Sequence, residues 1–193
     1  METIYLITSN SKKIEAINNT LGRMNLNLKI ETINADYPEY KEEGTTKNVV
    51  LNGAKWCAEK YKKPVMVTDA GLFIKELKGF PGVNTKFTLE RIGNEGILKL
   101  MEGKTEREAD WILSIGYCQP GDKAIEFTAS RKGKITESIK GNKGFGFDPI
   151  LILDGYSETL GENPTIRDSQ GPFVEVIVKF ADWYKTQKRL NQS

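Results

Sequence analysis

Three groups of residues have types and spacings suited to chemistry on a phosphorylated ligand. The first is Thr8-Ser9-Asn10-Ser11-Lys12-Lys13, which follows the apolar run Ile4–Ile7 and opens a helical pattern with Ile14, Ile17 and Leu21 in phase. A strand, a polar turn and a helix start in that order present free backbone N–H groups and the positive end of the helix dipole. Lys13 stands in the first helical turn, where a cation opposes that dipole, so its charge makes sense opposite an anion such as phosphate. The competing reading is a capped surface helix with two solvated lysines. The second group is the acids Glu39, Asp69 and Asp148, each beside a turn or strand end. Asp69 comes at the C-terminal end of the strand Val65-Met66-Val67, the edge at which α/β sheets bind ligands. It can hold Mg²⁺ through one oxygen while the ion keeps several waters, and Glu39, in a loop, can be a second ligand or orient a water. Each acid alone can equally be a turn cap. The third group is Gly144-Phe145-Gly146-Phe147-Asp148-Pro149. Glycines let backbone approach a ligand closely, Phe145 and Phe147 offer a flat surface on which a purine can stack, and Asp148 can accept from base or ribose. A bulged strand with two core phenylalanines fits the same spacing.

Composition narrows the chemistry further. A chain of 193 residues fits a single domain, with or without a small lobe. The 28 basic and 26 acidic residues nearly cancel, which argues against a dedicated nucleic-acid binder. No apolar run approaches a membrane span, and the N-terminus lacks a signal-peptide layout. Cys57 and Cys118 lie far apart in apolar patterns, read as buried reduced thiols of a cytoplasmic protein. With no histidine in the chain, imidazole acid–base chemistry, Ser-His catalysis and His-based zinc sites are excluded. Any catalysis must run on carboxylates, lysines and hydroxyls, with or without a bound hard metal.

The elements that must position these residues follow from periodicity. A strand is expected near Ile4–Thr8 and a helix near Ser11–Leu21, with Gly22 placed to end it. Alternation of Leu26, Leu28 and Ile30 predicts a second strand. Thr45 or Thr46 can cap a helix with the stripe Val50, Ala54, Cys57 and Tyr61. After the strand Val65–Val67, Leu72–Ile74 resumes an apolar run and Gly79-Phe80-Pro81-Gly82 reads as a turn. Phe87, Ile92, Ile97, Leu98 and Met101 belong to one or two helices interrupted near Gly93. Trp111–Tyr117 and Ile125–Ala129 read as a hairpin around Gly121. Pro149–Leu153 reads as a buried strand, and Pro172 opens a last helix with the stripe Phe173, Ile177, Phe180 and Tyr184. The pattern is α/β with a mixed sheet and two lobes.

Taken in order, these segments resemble the inosine triphosphate pyrophosphatase (Ham1) family. The matching pieces are Thr8-Ser9-Asn10 with Lys13; Tyr37-Pro38-Glu39; Asp69 with Gly71-Leu72; Gly79-Phe80-Pro81-Gly82; Gly93-Asn94-Glu95-Gly96; Gly144 to Pro149; and Asp154-Gly155-Tyr156 before Thr159 and Glu162. The resemblance implies one domain over residues 1–193, an elongated mixed sheet with flanking helices, two lobes with a central cleft, and a homodimer. It implies Mg²⁺-dependent cleavage of ITP, dITP and XTP to the monophosphate and pyrophosphate. Carried over by position, Thr8, Ser9, Asn10 and Lys13 would bind the phosphates. Glu39 and Asp69 would hold the metal and serve the attacking water, with Lys13 as the third catalytic residue. Phe145, Phe147 and Asp148 would sit at the nucleoside.

The departures bear on the same residues. The family has Thr-Gly-Asn where this chain has Thr8-Ser9-Asn10, and Glu-Asp-Ser or Glu-Asp-Thr where it has Thr68-Asp69-Ala70. The family's Ser-His-Arg, which reads the oxidised purine, has no counterpart, since there is no histidine. Arg167 and Gln170 are the polar residues left to take its place. Two functions therefore compete: a nucleoside triphosphate pyrophosphatase with altered base preference, and a catalytically weak nucleotide-binding or regulatory protein on the same fold.

Overall fold

The computed structural model describes residues 2–8, 11–24, 26, 28–39, 41 and 44–190, with backbone only at 11–13, 15 and 16. The chain forms a mixed, seven-stranded sheet in the order β2-β1-β3-β5-β6-β7, with β4 paired to β3 off that path. Its strands are β1 (Glu2–Ile7), β2 (Leu28–Ile33), β3 (Val65–Ile74), β4 (Pro81–Gly82), β5 (Glu108–Cys118), β6 (Ile125–Ile135) and β7 (Leu151–Leu153). The helices are α1 (Ser11–Arg23), α2 (Thr46–Tyr61), α3 (Thr85–Leu100), α4 (Pro164–Gln170) and α5 (Pro172–Leu190). β1 runs parallel to β2 and to β3, whereas β4 and β7 are antiparallel to their partners β3 and β6. Two compact units result: residues 1–69, 113–129 and 173–193, and residues 70–112 and 130–172.

In the first unit the strands are buried on both faces. Leu6, Met66 and Tyr117 join a core with Ile17 and Leu21 of α1 and Ile177 and Phe180 of α5. Their chain neighbours Ile7, Val65, Val67 and Cys118 join another with Val50, Ala54 and Cys57 of α2. Successive strand residues point to opposite faces, so helices on both sides make these strands continuously apolar. Fully buried Phe180 packs its ring 5.6 Å from both Tyr117 and Phe127. Each such ring adds about 0.5–1.5 kcal/mol beyond its area. α2 starts where Thr45 Oγ1 accepts from Asn48 N at 3.2 Å, which assigns the cap to Thr45.

The second unit is built on β7, α3, α4 and the near ends of β3, β5 and β6. Its core gathers Leu72, Ile74, Ile97, Met101, Trp111, Ile135, Phe147 and Leu151. α3 breaks at Gly93, whose φ of 65° and ψ of −171° lie outside the helical region and suit only glycine.

Several sequence expectations are corrected. Gly22 lies inside α1, which runs on to Arg23, and β2 sits at 28–33 rather than around residues 26–30. β3 does not stop at Val67; it continues through Asp69 to Ile74 because Leu72 and Phe73 find partners in Gly82 and Pro81 of β4. The strand expected over Pro149–Leu153 is a 3₁₀ turn, Asp148–Ile150, followed by the three residues of β7. α4 was not anticipated, although Pro164 stands at its start, where proline fits.

Candidate functional site

In the first unit Tyr37 feels the charges of Glu39 and Asp69. β1 pairs with β3 through Leu6↔Met66, so the strand end at Ile7 and the stretch Thr68–Asp69 share one end of the sheet. Asp69 is thus mid-strand by chain position, but β1 has ended beside it, which keeps it at the carboxyl edge of the parallel strands. Tyr37 lies half-buried over α2, where a side chain on Gly53 would come within 2.5 Å of its ring. Burial, and after it the charges of Glu39 and Asp69, push the Tyr37 phenol well above its ordinary value. Glu39 is 45% exposed and pairs with Lys41 at 2.7 Å; Asp69 is half-buried. Among the described residues no group of three acid or thiol ligands could cage a metal. Two carboxylates are nevertheless an adequate protein share for Mg²⁺, which keeps waters and takes further oxygens from a substrate's phosphates. Of the expected phosphate ligands, Ser9 and Asn10 lie outside the described residues. Thr8 directly follows β1, and Lys13 is in the first turn of α1, with its side chain likewise outside what is described.

In the second unit the segment Gly144–Pro149 forms a tight loop around Asp148. The Asp148 side chain is fully buried; its Oδ2 accepts from Phe145 N at 2.8 Å and its Oδ1 pairs with Arg167 Nη1 of α4. Gly144 has φ 76°, and a Cβ there would lie 2.2 Å from Asp148 Oδ2, so only glycine fits. The two phenylalanines separate. Phe145 is 65% exposed, while Phe147 is only 6% exposed and packs edge-on against Trp111 at 5.7 Å. Of the two rings read as a stacking surface, Phe145 is presented to solvent and Phe147 belongs to the core. The Arg167 guanidinium lies over Phe145 at 3.8 Å and over Trp111 at 4.7 Å. Burial pushes the Asp148 carboxyl up and the Arg167 guanidinium down, and each opposes the shift in the other.

Further residues of the sequence motifs hold this loop. Asn94, turned by the break in α3, donates to Gly146 O at 2.9 Å. Buried Thr159 donates through Oγ1 to Lys140 O at 2.8 Å, and Glu162 Oε2 accepts from Thr159 N at 2.9 Å. Gly161 N closes the frame on Asp148 O at 2.9 Å. Sequence reasoning missed Tyr37 as the shared neighbour of the acids and Trp111 as the back wall of Arg167. The motif Tyr37-Pro38-Glu39 pointed to the first. For Trp111 the only signal was its alternation within a strand.

Comparison with known proteins agrees with this architecture. The model of the Ham1 family matches residues 4–169. A dITP/XTP pyrophosphatase of Methanopyrus kandleri is 38% identical over 185 residues, covering 94% of this chain and 96% of that protein. One from Pyrococcus horikoshii is 41% identical over 159 residues, 82% of this chain and 83% of that protein. The solved structure of a HAM1 protein from Coxiella burnetii superposes with a TM-score of 0.86 over 96% of this chain and 100% of that one, at 20% identity, a likeness of fold. With the family model spanning most of the chain and relatives above 30% identity along nearly its whole length, this protein belongs to the Ham1 family.

Proposed function

We propose that this protein is a nucleoside triphosphate pyrophosphatase that converts purine nucleoside triphosphates of the ITP, dITP and XTP type to the monophosphate and pyrophosphate. The observation that carries this reading is the match, over 94% and 82% of this chain, to proteins named dITP/XTP pyrophosphatase. The presence of Lys13, Glu39 and Asp69 at the positions that match the family's motifs favours a catalyst over a protein that only binds nucleotides.

In this mechanism water adds to the α-phosphorus, the bond to the bridging oxygen breaks, and pyrophosphate leaves. Positioning and charge neutralisation supply most of the rate, because such a displacement asks for little covalent help. Thr8, Ser9, Asn10 and the α1 N-terminus hold the phosphates, and Lys13 offsets their charge. Glu39 and Asp69 would hold Mg²⁺, which when bound would neutralise charge at the triphosphate. One of these carboxylates accepts the proton of the attacking water, and Tyr37, kept as a neutral phenol, fixes their surroundings. Phe145 offers the base a ring to stack on, with Arg167 and Asp148 behind it and Phe147 supporting from the core. We further propose a cytoplasmic homodimer; among the described residues no helix is long and apolar enough to cross a membrane.

The test is release of pyrophosphate from ITP, dITP, XTP, GTP and ATP with Mg²⁺ and with EDTA. Pyrophosphate from ITP or XTP is expected, and none in EDTA. Orthophosphate as the product, or no turnover of any nucleotide, would overturn the assignment. Full activity in EDTA would remove the metal from it. Light scattering at several concentrations checks the dimer.

A further inference from the structure

The first unit holds a cavity of about 360 Å³ between the start of β1, the β5–β6 loop and the last turns of α5. Glu2 and Ile7 are the two ends of β1, so this cavity lies a strand's length, roughly 16 Å, from the end of β1 that Asp69 shares. Three rings wall it: Tyr117 and Tyr184 meet Trp183 at 5.5 and 6.4 Å, inclined to it by 60° and 57°. Two carboxylates, Glu2 and Asp122, join them. Lys188 reaches in from α5, pairs with Glu2 and places its Nζ 5.5 Å from the centre of the Tyr184 ring. The cavity thus already accepts one alkylammonium, supplied by the chain itself. Two groups remain unanswered. Asp122 makes no ion pair among the described residues, and it is exposed. Tyr117 is only 4% exposed, yet its hydroxyl makes no hydrogen bond among the described residues. Burial, and after it the charges of Glu2 and Asp122, push the Tyr117 phenol up, so it stays neutral with an oxygen able to accept.

We propose that this cavity is a binding site for an aliphatic diamine, one ammonium pairing with Glu2 in place of Lys188 and the other with Asp122. The site is separate from the nucleotide chemistry and does not depend on it. Aromatic rings attract cations, and a methylene stem buries itself along them as a lysine stem does. Lys188 is the group that yields. Its pair with Glu2 is exposed, at 41% and 55%, and its long stem can turn to solvent. The Tyr184 hydroxyl goes on donating to Glu2 and keeps that carboxylate in place. An ammonium N–H at Glu2 or Asp122 can donate to the Tyr117 oxygen, which gives this buried hydroxyl its partner. Lys123, the other lysine of the lining, is exposed on the loop, where its charge can stay in water. A monoamine answers only one carboxylate, and an anion such as phosphate would face both.

The experiment is calorimetric titration of putrescine, butylamine and inorganic phosphate into the full chain without nucleotide, at physiological salt so that diffuse charge effects are screened. Putrescine is expected to bind at one site, butylamine about tenfold more weakly or worse, and phosphate not at all. Glu2→Gln and Asp122→Asn should each weaken putrescine by about tenfold, since each leaves one ammonium without its charged acceptor. Lys188→Gln should act the other way. With the competing ammonium gone, putrescine binds roughly two- to fivefold more tightly, the range of an exposed ion pair. Lys185→Gln makes the same change in net charge on the same helix but off the lining, and should leave the affinity within about twofold. If Glu2→Gln melts early, Asp122→Asn, on an exposed loop, gives the same reading. No binding of putrescine in the millimolar range overturns the proposal. Equal affinity for putrescine and butylamine overturns it too, because Asp122 then takes no part. A gain in Lys188→Gln no larger than in Lys185→Gln also overturns it, since the ligand would then not be replacing the resident ammonium.

Discussion

The acids around Tyr37 and the ion pair beneath Phe145 handle charge in opposite ways. Glu39 is 45% exposed and pairs with Lys41, whose side chain is 25% exposed. Exposed pairs of that kind contribute roughly 0–1 kcal/mol and are readily exchanged. Asp148 and Arg167 neutralise each other in a site where the carboxylate has no exposure at all, wedged among rings. A region that must take up a cation and a triphosphate keeps its negative charge available. A region that must present one shape to a flat base uses its charges up internally and offers only an edge and a ring. The first difference to test is therefore what each pair does when one member is removed.

The largest expected effect is on the acid side. Asp69→Asn should keep the fold, because Asp69 is half-buried at the edge where β1 has ended, and it should lower kcat by more than about a hundredfold. Loss of outer-shell partners of a metal alone costs about 10- to 100-fold, and a direct ligand exceeds that. A melting temperature near wild type with turnover below detection is the expected pair of results. Wild-type turnover in the variant would mean that the chemistry does not pass through Asp69.

Removing one member of the other pair should act on stability. Asp148→Ala leaves a mostly buried guanidinium without its partner and frees Phe145 N, for an expected loss of about 3 kcal/mol, at the low end for broken buried pairs because Arg167 retains some exposure. Urea unfolding measures it. A loss below about 1 kcal/mol would place this pair with the exposed ones, and the contrast between the two regions would fail.

A gentler break acts on the loop alone. Gly144→Ala places a methyl carbon where 2.2 Å separates it from Asp148 Oδ2, at a φ of 76°. The left-handed backbone costs an ordinary residue roughly 1–2 kcal/mol, and the contact must be relieved by moving the loop. Selectivity between IMP and AMP should fall with little change in turnover of the base that still binds. Equal loss for every base would show that the loop serves the phosphates rather than the base.

How much of this was legible depended on whether the signal was local. α2 and α5 were readable because Val50, Ala54 and Cys57, and Phe173, Ile177 and Phe180, repeat at helical spacing, and Thr45 and Pro172 mark the starts. The full extent of β3 was not, because Thr68-Asp69-Ala70-Gly71 reads as a turn and its continuation depends on pairing with Pro81 and Gly82. Phe145 and Phe147 are alike in sequence; only Trp111, from another strand, decides which turns inward. Acids could be named from their strand-end positions, but Tyr37 as their common neighbour needed the packing against Gly53. Arg167 could be named only as a remaining cation, since its plane is set by residues from two other segments, Trp111 of β5 and the loop that carries Phe145 and Asp148.

The smallest effect extends the comparison to an exposed carboxylate that is held rather than left open. Glu59 of α2 accepts from Gly121 N at 2.9 Å, which anchors the β5–β6 loop, and it also meets Lys55 and Lys62. These contacts, the backbone N–H first, lower its carboxyl from 4.5 to about 2. A carboxylate with a depressed value in the folded state contributes stability that is fully present above its unfolded value. That contribution falls away as the pH drops from 4.5 through about 2. The difference in melting temperature between wild type and Glu59→Gln should therefore be constant from pH 7 to near 5, a few degrees at most, and shrink towards zero as the pH approaches 2. The carboxylate beneath Phe145 is shifted up by burial instead, so this acid-labile signature belongs to Glu59 and not to Asp148. A gap between wild type and Glu59→Gln that does not change with pH would mean that the loop is held by the shape of the hairpin and not by the charge on Glu59.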